Sequence, residues 1–313
     1  MQAEESGGVL LVHAHPDDES MGTGGTMARL VAEGIRVDLV TCTDGAEGEI
    51  HDPTLDPTEA HPRLAQIRRE ELACSVAALG GGAIHQHFLG YRDSGMVDTD
   101  ANAHPESFWQ ADLDEATGRL IEIVRMARPS VIVSYDENGN YGHPDHINAA
   151  RIAREAYQAS AGQPWQVARF YEIAFVRERW FGLMSAMKER GISLPWDLDS
   201  VVEPRAADDL NPTNVAALNT VADAIESSEA DADALEFGRA DADVTTRIDV
   251  SAFLDAKRRS MACHRTQAQD MGWLLDLPPD LADAAIATES YVLRWLDRAD
   301  VDSSHRESWL LGS

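Results

Sequence analysis

Lysine is almost missing from this chain. Lys188 and Lys257 are the only two among 26 basic residues, which face 54 acidic ones and leave a formal net charge of −28 over 313 residues. A surface so acidic is repelled by phosphate backbones and anionic lipid, so no nucleic-acid partner is expected. The acids read as a solvated face that keeps the protein soluble or suits a salty cell interior. Long apolar runs are lacking too: no stretch approaches the roughly 20 residues that span a bilayer, and no membrane insertion is expected. The opening MQAEESGG carries acids where a signal peptide needs positive charge, and the apolar run 9–12 is too short for its core. Cysteine is scarce. Cys42, Cys74 and Cys263 are too few and too scattered for a disulfide framework or a CxxC metal site. They read as small buried hydrophobes in a protein of the reducing cytoplasm. The absence of a GxGxxG turn after the first strand disfavours a dinucleotide-binding protein.

What is present is a globular composition, 44% apolar and 26% charged, in a chain long enough for one large α/β unit with elaborations. Its N-terminal half alternates short β-rich runs with helical patterns, the mark of βα units on a largely parallel sheet. Residues 9–12 form a continuous apolar strand. Met27, Leu30 and Val31 recur at helical spacing, Gly34 closes that helix, and 37–41 make the next strand. After a loop at 51–62, Leu64, Ile67, Val76 and Leu79 mark a helix closed by the glycines at 80–82. A helix over 112–127 follows, then Pro129 and a strand at 131–134. Residues 135–145 form a Gly/Asn-rich loop leading into a helix at 147–157. Beyond residue 165 the expected elements are a strand at 170–175, a helix at 180–190, an acidic Ala-rich stretch at 206–243, a helix at 251–264, and a loop and helix over 268–292. Residues 1–165 are therefore expected to form an α/β core and 166–313 a C-terminal α/β elaboration, which either folds separately or completes the first sheet.

Two clusters carry chemistry. The first strand runs directly into His13-Ala14-His15-Pro16-Asp17-Asp18-Glu19, and the strand at 131–134 leads to Tyr141-Gly142-His143-Pro144-Asp145-His146. In open α/β sheets ligands bind beyond the carboxyl ends of strands, so the two loops face one crevice. His15 and Asp18, three residues apart across a turn, can converge on one ion with His146. Two histidines and a carboxylate leave a zinc ion with an open position for water; the same trio suits non-haem Fe(II). Such a zinc site brings a bound water's pKa to about 7.

HPDDE followed by GHPDH resembles the paired motif of the PIG-L/LmbE-like N-deacetylases, which include mycothiol-biosynthetic GlcNAc-inositol deacetylases and mycothiol S-conjugate amidases. The likeness extends to TCTDGAEGEI, RREEL and Tyr91-Arg92-Asp93-Ser94-Gly95-Met96, with a short C-terminal match at His264-Arg265-Thr266-Gln267. It implies a Rossmann-like, LmbE-like sheet and one zinc per subunit held by His15, Asp18 and His146. Asp17 would be the general base. His143 would act as acid or oxyanion stabiliser, oriented by Asp145, and Tyr141 would donate to the oxygen of the tetrahedral intermediate. Arg68, Asp93 and Glu47 match positions expected to grip substrate hydroxyls, and His264 joins them as a substrate contact. Plainer readings stand beside these: Arg68 as part of a solvated ion-paired helix face, Asp145 as a helix cap, His264 as a packed helix-end residue, and His13 as an interior residue.

The resemblance also bears on substrate. The segment after HPDDES lacks the lysine that conjugate amidases share near Gly22, and Glu289-Ser290-Tyr291-Val292-Leu293 looks more like the deacetylases. The expected function is removal of an N-acetyl group from a GlcNAc-inositol-like sugar. The alternatives are cleavage of a thiol conjugate by an S-conjugate amidase and, from another class, a zinc-containing glycan-binding protein without turnover. The expected partner is a small amino-sugar or thiol-conjugate molecule, with a homo-oligomer left open.

Overall fold

Val9–His13 forms strand β1 with all five residues buried, as a strand covered on both faces must be. In the computed structural model, which describes residues 7–193, 238–268, 272–302 and 304–312, β1 is the pivot of an eight-stranded sheet. The other strands are β2 (Val37–Thr43), β3 (Ile84–Tyr91), β4 (Val131–Ser134), β5 (Arg169–Ile173), β6 (Thr246–Asp249), β7 (Thr288–Leu296) and β8 (Ala299–Asp300). Their order is β3-β2-β1-β4-β5-β7-β6, with β8 pairing β7. Strands β1 to β5 run parallel; β7 is antiparallel to both β5 and β6. Val9 pairs with Val37 on one side and Val131 on the other, so the chain winds outward in opposite directions from β1. That reversal opens a crevice at the carboxyl end of β1.

Nine α-helices lie among the described residues: α1 (Asp18–Gly22), α2 (Gly24–Ala32), α3 (Pro57–Ala60), α4 (Leu64–Leu79), α5 (Leu113–Ala127), α6 (Pro144–Ala159), α7 (Arg177–Glu189), α8 (Leu254–Cys263) and α9 (Pro279–Ile286). Helices α2, α4 and α8 pack on one another, and α5 packs on α6. Opposite winding directions with right-handed crossovers place these groups on opposite faces. The local causes are plain in α5. The Asp112 carboxylate accepts from the Asp114 and Glu115 N–H groups, and Ala116, Leu120, Val124 and Ala127 bury one face. Arg128, with φ 50°, and then Pro129 end it.

Several expectations change. Strand β3 went unread because it lies at the sheet edge and exposes His85 and Gln86, so its apolar pattern is thin. The stretch 268–292 holds α9 and then the start of β7, so Glu289 to Leu293 are strand residues. Helix α6 begins at Pro144, three residues before the expected start, with proline at the position where its missing N–H costs nothing. Cys74 and Cys263 are not separate buried hydrophobes but a disulfide between α4 and the end of α8, with Cα atoms 5.7 Å apart; only Cys42 is free and buried. The solvated-face reading of Arg68 fails as well, since α4 turns Arg68 and Glu71 inward. Of the acidic Ala-rich stretch expected at 206–243, residues 206–237 lie outside the described residues.

Candidate metal centre

Where β1 ends, the chain turns through Pro16 and Asp17 into α1, which presents Asp18 toward His15. From β4, the loop after Tyr135 returns to α6, whose first turn carries His146. His15 Nδ1 lies 3.2 Å from His146 Nε2, His146 Nε2 lies 3.4 Å from Asp18 Oδ1, and His15 Nδ1 lies 3.6 Å from Asp18 Oδ2. Ligand atoms about 2.0–2.1 Å from a tetrahedral zinc stand about 3.3–3.4 Å from one another. The spacing and the N₂O donor chemistry therefore fit a small divalent cation, and these three residues form one of two such groups among the described residues. The second, His15, Asp93 and His143, shares His15.

The surroundings hold the trio in place. His15 Nε2, on the ring edge away from the cluster, lies 3.3 Å from Asp145 Oδ2, a contact that orients a ligating imidazole. Asp145 is itself fully buried and accepts from the Ser94 N–H and hydroxyl. Asp18 Oδ2 accepts from the His15 N–H at 2.7 Å and from the Tyr135 hydroxyl at 2.8 Å, leaving Oδ1 toward His146. Gly139, with φ +62°, lets the loop pass His146: a Cβ there would meet the His146 Cβ at 2.6 Å. Burial disfavours charge on His15, yet Asp93, Asp145 and Asp18 together raise it well above the ordinary imidazole value. The field at this point thus favours a cation. Burial brings His146 down to about 4, so it is a neutral donor at pH 7.

Asp17 is built differently. Its φ of 152° is rare for a residue with a side chain, and its Oδ2 accepts from Arg68 Nη2 at 2.7 Å. Arg68 also donates to the Gly45 and Pro16 carbonyls at 2.8 and 2.9 Å. It passes so close to Gly45, where φ is +68°, that a Cβ there would lie 2.6 Å from Nη1. Burial pushes the Asp17 carboxyl up to about 7, with Arg68 pulling it down and Asp18 pushing it up. His143 caps α6: its Nδ1 accepts from the Asp145 N–H at 3.1 Å. Burial and then the neighbouring His15 and His146 hold it well below the ordinary value, so it is neutral, with its proton on Nε2.

His15, Asp17, Asp18, Arg68, His143 and His146 line a cleft of about 750 Å³ together with Tyr141, Glu47, Asp93 and Gln267. Its far wall is apolar and aromatic: Trp180, Phe181 and Met184 of α7, with Trp273.

Residues 10–157 match the family of GlcNAc-PI de-N-acetylases, PIG-L. A 1D-myo-inositol 2-acetamido-2-deoxy-α-D-glucopyranoside deacetylase of Thermobifida fusca is 39% identical over 297 residues, covering 91% of this chain and 92% of that protein. The chain belongs to the PIG-L family. Among solved structures, the N,N'-diacetylchitobiose deacetylase of Pyrococcus horikoshii shares the fold with a TM-score of 0.50 at 20% identity, over 92% of this chain and 84% of that one. A 4-carboxy-2-hydroxymuconate hydratase of Pseudomonas putida gives the same TM-score at 17% identity, over 89% of this chain and 82% of its own. One architecture therefore serves a hydrolase and a hydratase, and the fold alone does not choose the reaction.

Within this family member the motif residues do not all stand where the resemblance placed them. His15, Asp18 and His146 converge, and Asp17, Tyr141 and His143 face the same cleft. Asp145 meets His143 only through its backbone N–H; its carboxylate is on His15. The guanidinium nitrogens Nη1 and Nη2 of Arg68 are spent on Asp17 and two carbonyls rather than left for substrate hydroxyls. Asp93 accepts from the Gly95 and Glu47 N–H groups while Glu47 takes Arg92, so both brace the loop that they line. His264 is off the cleft wall altogether, with its side chain fully buried and its Nε2 on Glu19 at 2.7 Å. Gln267, three residues on, reaches the cleft instead. Sequence reading missed Tyr135, which stacks on His146 with ring centroids 4.2 Å apart; its place directly after a central strand was the available signal.

Proposed function

We propose that this PIG-L protein is a zinc-dependent amide hydrolase that removes the N-acetyl group from a GlcNAc-inositol-like sugar. The observation that carries the reading is the juxtaposition of His15, Asp18 and His146 with an Asp17 carboxylate that is held on Arg68 at the cleft wall. The full-length relative named for that substrate supports the sugar. Bound there, a zinc ion would polarise the amide carbonyl and acidify a water.

The residues supply the remainder. With one oxygen pinned by Arg68, Asp17 takes the proton of the attacking water on the other and hands it to the departing amine nitrogen as the C–N bond breaks. His143, neutral with Nε2–H available, donates to the oxyanion that forms on the acyl carbon, and Tyr141 stands beside it as a second donor. Asp145 keeps His15 in the orientation that presents Nδ1 to the metal. Arg68 acts on substrate only through Asp17.

The test is acetate release from GlcNAc-inositol by wild type and by Asp17→Ala, with and without chelator, and with zinc or Fe(II) restored. We expect chelator-sensitive turnover, restored best by zinc, and an Asp17→Ala protein that keeps metal but loses activity. Metal binding without acetate release from any amide would leave a glycan-binding protein in its place. A second reading, cleavage of a thiol conjugate, is favoured by the aromatic wall at Trp180, Phe181 and Trp273, which suits an apolar arm. Faster turnover of a mycothiol S-conjugate than of GlcNAc-inositol would select it.

A further inference from the structure

Glu19, the last residue of HPDDE, does not line the cleft, and its carboxylate is buried at 1% exposure. Burying a carboxylate is costly unless its oxygens are well bonded. Here both are used. Oε2 accepts from the Asp17 N–H at 2.9 Å. Oε1 accepts from His264 Nε2 at 2.7 Å and from the Ser75 hydroxyl, which in turn meets the Ser260 hydroxyl at 2.6 Å. Next to His264, Thr266 donates through its N–H and hydroxyl to Glu71 at 2.8 and 2.6 Å. Three separated segments, α1, α4 and the end of α8, thus meet under the turn that carries Asp17. The Cys74–Cys263 disulfide links the residues directly before Ser75 and His264. At the centre of this assembly is the N–H of the residue whose backbone is held at φ 152°.

We propose that Glu19, clamped by His264 and Ser75, is a positioning residue: it fixes the Asp17 backbone so that its carboxylate reaches the attacking water while Asp18 turns to the metal. A backbone at this φ persists only where its surroundings over-determine it: Ser20 holds the Asp17 carbonyl through its N–H at 2.9 Å and its hydroxyl at 2.8 Å, and the Glu19 oxygen holds the Asp17 N–H. His264, expected from sequence to touch substrate, serves the reaction two bonds removed from it. This inference rests on the reading of Asp17 as the base.

A double-mutant cycle separates positioning from general structural support. Glu19→Gln is nearly isosteric but cannot accept with both arms. It is expected to lower kcat about 100-fold, the usual cost of misplacing a reacting group by about 1 Å, with KM and zinc content unchanged. In an Asp17→Asn background the same change should cost less than about twofold, because residues that act as a unit are not additive. Should Glu19→Gln fail to fold, His264→Asn, which releases one clamp, enters the same cycle with the same expectation of non-additivity. Equal losses in both backgrounds, or a loss confined to KM, would overturn the proposal. If Asp17→Asn itself keeps full activity, it is the assignment of the base that falls, a result distinguishable from the first.

Discussion

Replacing Cys74 and Cys263 together with serine removes the covalent tie between α4 and α8 while leaving their packing in place. The two residues are 189 apart in sequence. Closing so long a loop in the unfolded chain removes entropy worth about 5 kcal/mol at 25 °C by the chain-entropy relation, whereas measured disulfides more often contribute about 2–4 kcal/mol. We expect the double serine variant to lose about 2–4 kcal/mol in urea unfolding followed by the fluorescence of the seven tryptophans. Its slope with denaturant should be steeper, because an untied unfolded chain exposes more surface. Wild type measured in a strong dithiol reductant should coincide with the variant. Thiol titration in denaturant gives the independent check: one reactive thiol, Cys42, without reductant and three with it. An unchanged wild-type midpoint in reductant, together with three thiols titrating without it, would refute the reasoning and return the cysteines to the reading made from sequence.

Three further outcomes follow from separate features. Asp145→Ala, which removes the nearer of the two carboxylates at His15 Nε2, should weaken metal binding about 10–100-fold in competition with a chelator; unchanged affinity would mean that other contacts, such as Asp93 at 3.6 Å, orient His15. Leu39→Ala, at a position 1% exposed in the middle of β2, should cost about 2–5 kcal/mol of stability by calorimetry. Asp38 titrates below the ordinary carboxyl value because His87 and Arg36 outweigh its burial. The stability it contributes is complete above the unfolded carboxyl value and lost as pH falls through the lower folded one. Asp38→Asn should therefore flatten the acid limb of a stability-versus-pH curve, and an unchanged limb would show that the pair contributes nothing.

The parallel half of the sheet was legible because buried strands such as β1 and β4 are short, nearly continuous apolar runs and the helices between strands carry an apolar face at helical spacing. Strand β7 was not, since it follows α9 after a single residue, Ala287, and no turn signal marks the change. The two motifs announced the convergence of His15, Asp18 and His146, since each stands just beyond a central parallel strand. Second partners were harder: nothing in the spelling of GHPDH says that Asp145 turns to His15 rather than His143, because that depends on how α6 sits against β1. For Arg68 and His264 the sequence offered two readings and no means of choosing between them, for the same reason. A buried charged residue and a substrate-gripping one look alike in sequence, and only the glycines at 45 and 48, between which the guanidinium passes, hint at the interior path.

The facing nitrogens of His15 and His146 come from residues 131 apart in the chain. In the unfolded protein those atoms have no reason to meet, so a cation that the site binds recognises the native state almost alone. Mass action then ties folding to supply. A cation present at 1,000 times its dissociation constant adds about 4 kcal/mol to native stability, and one at its dissociation constant adds about 0.4 kcal/mol. Metal starvation would thus do more than stop turnover: it would enlarge the unfolded fraction open to proteolysis, coupling the amount of the enzyme in a cell to the ion that its chemistry needs.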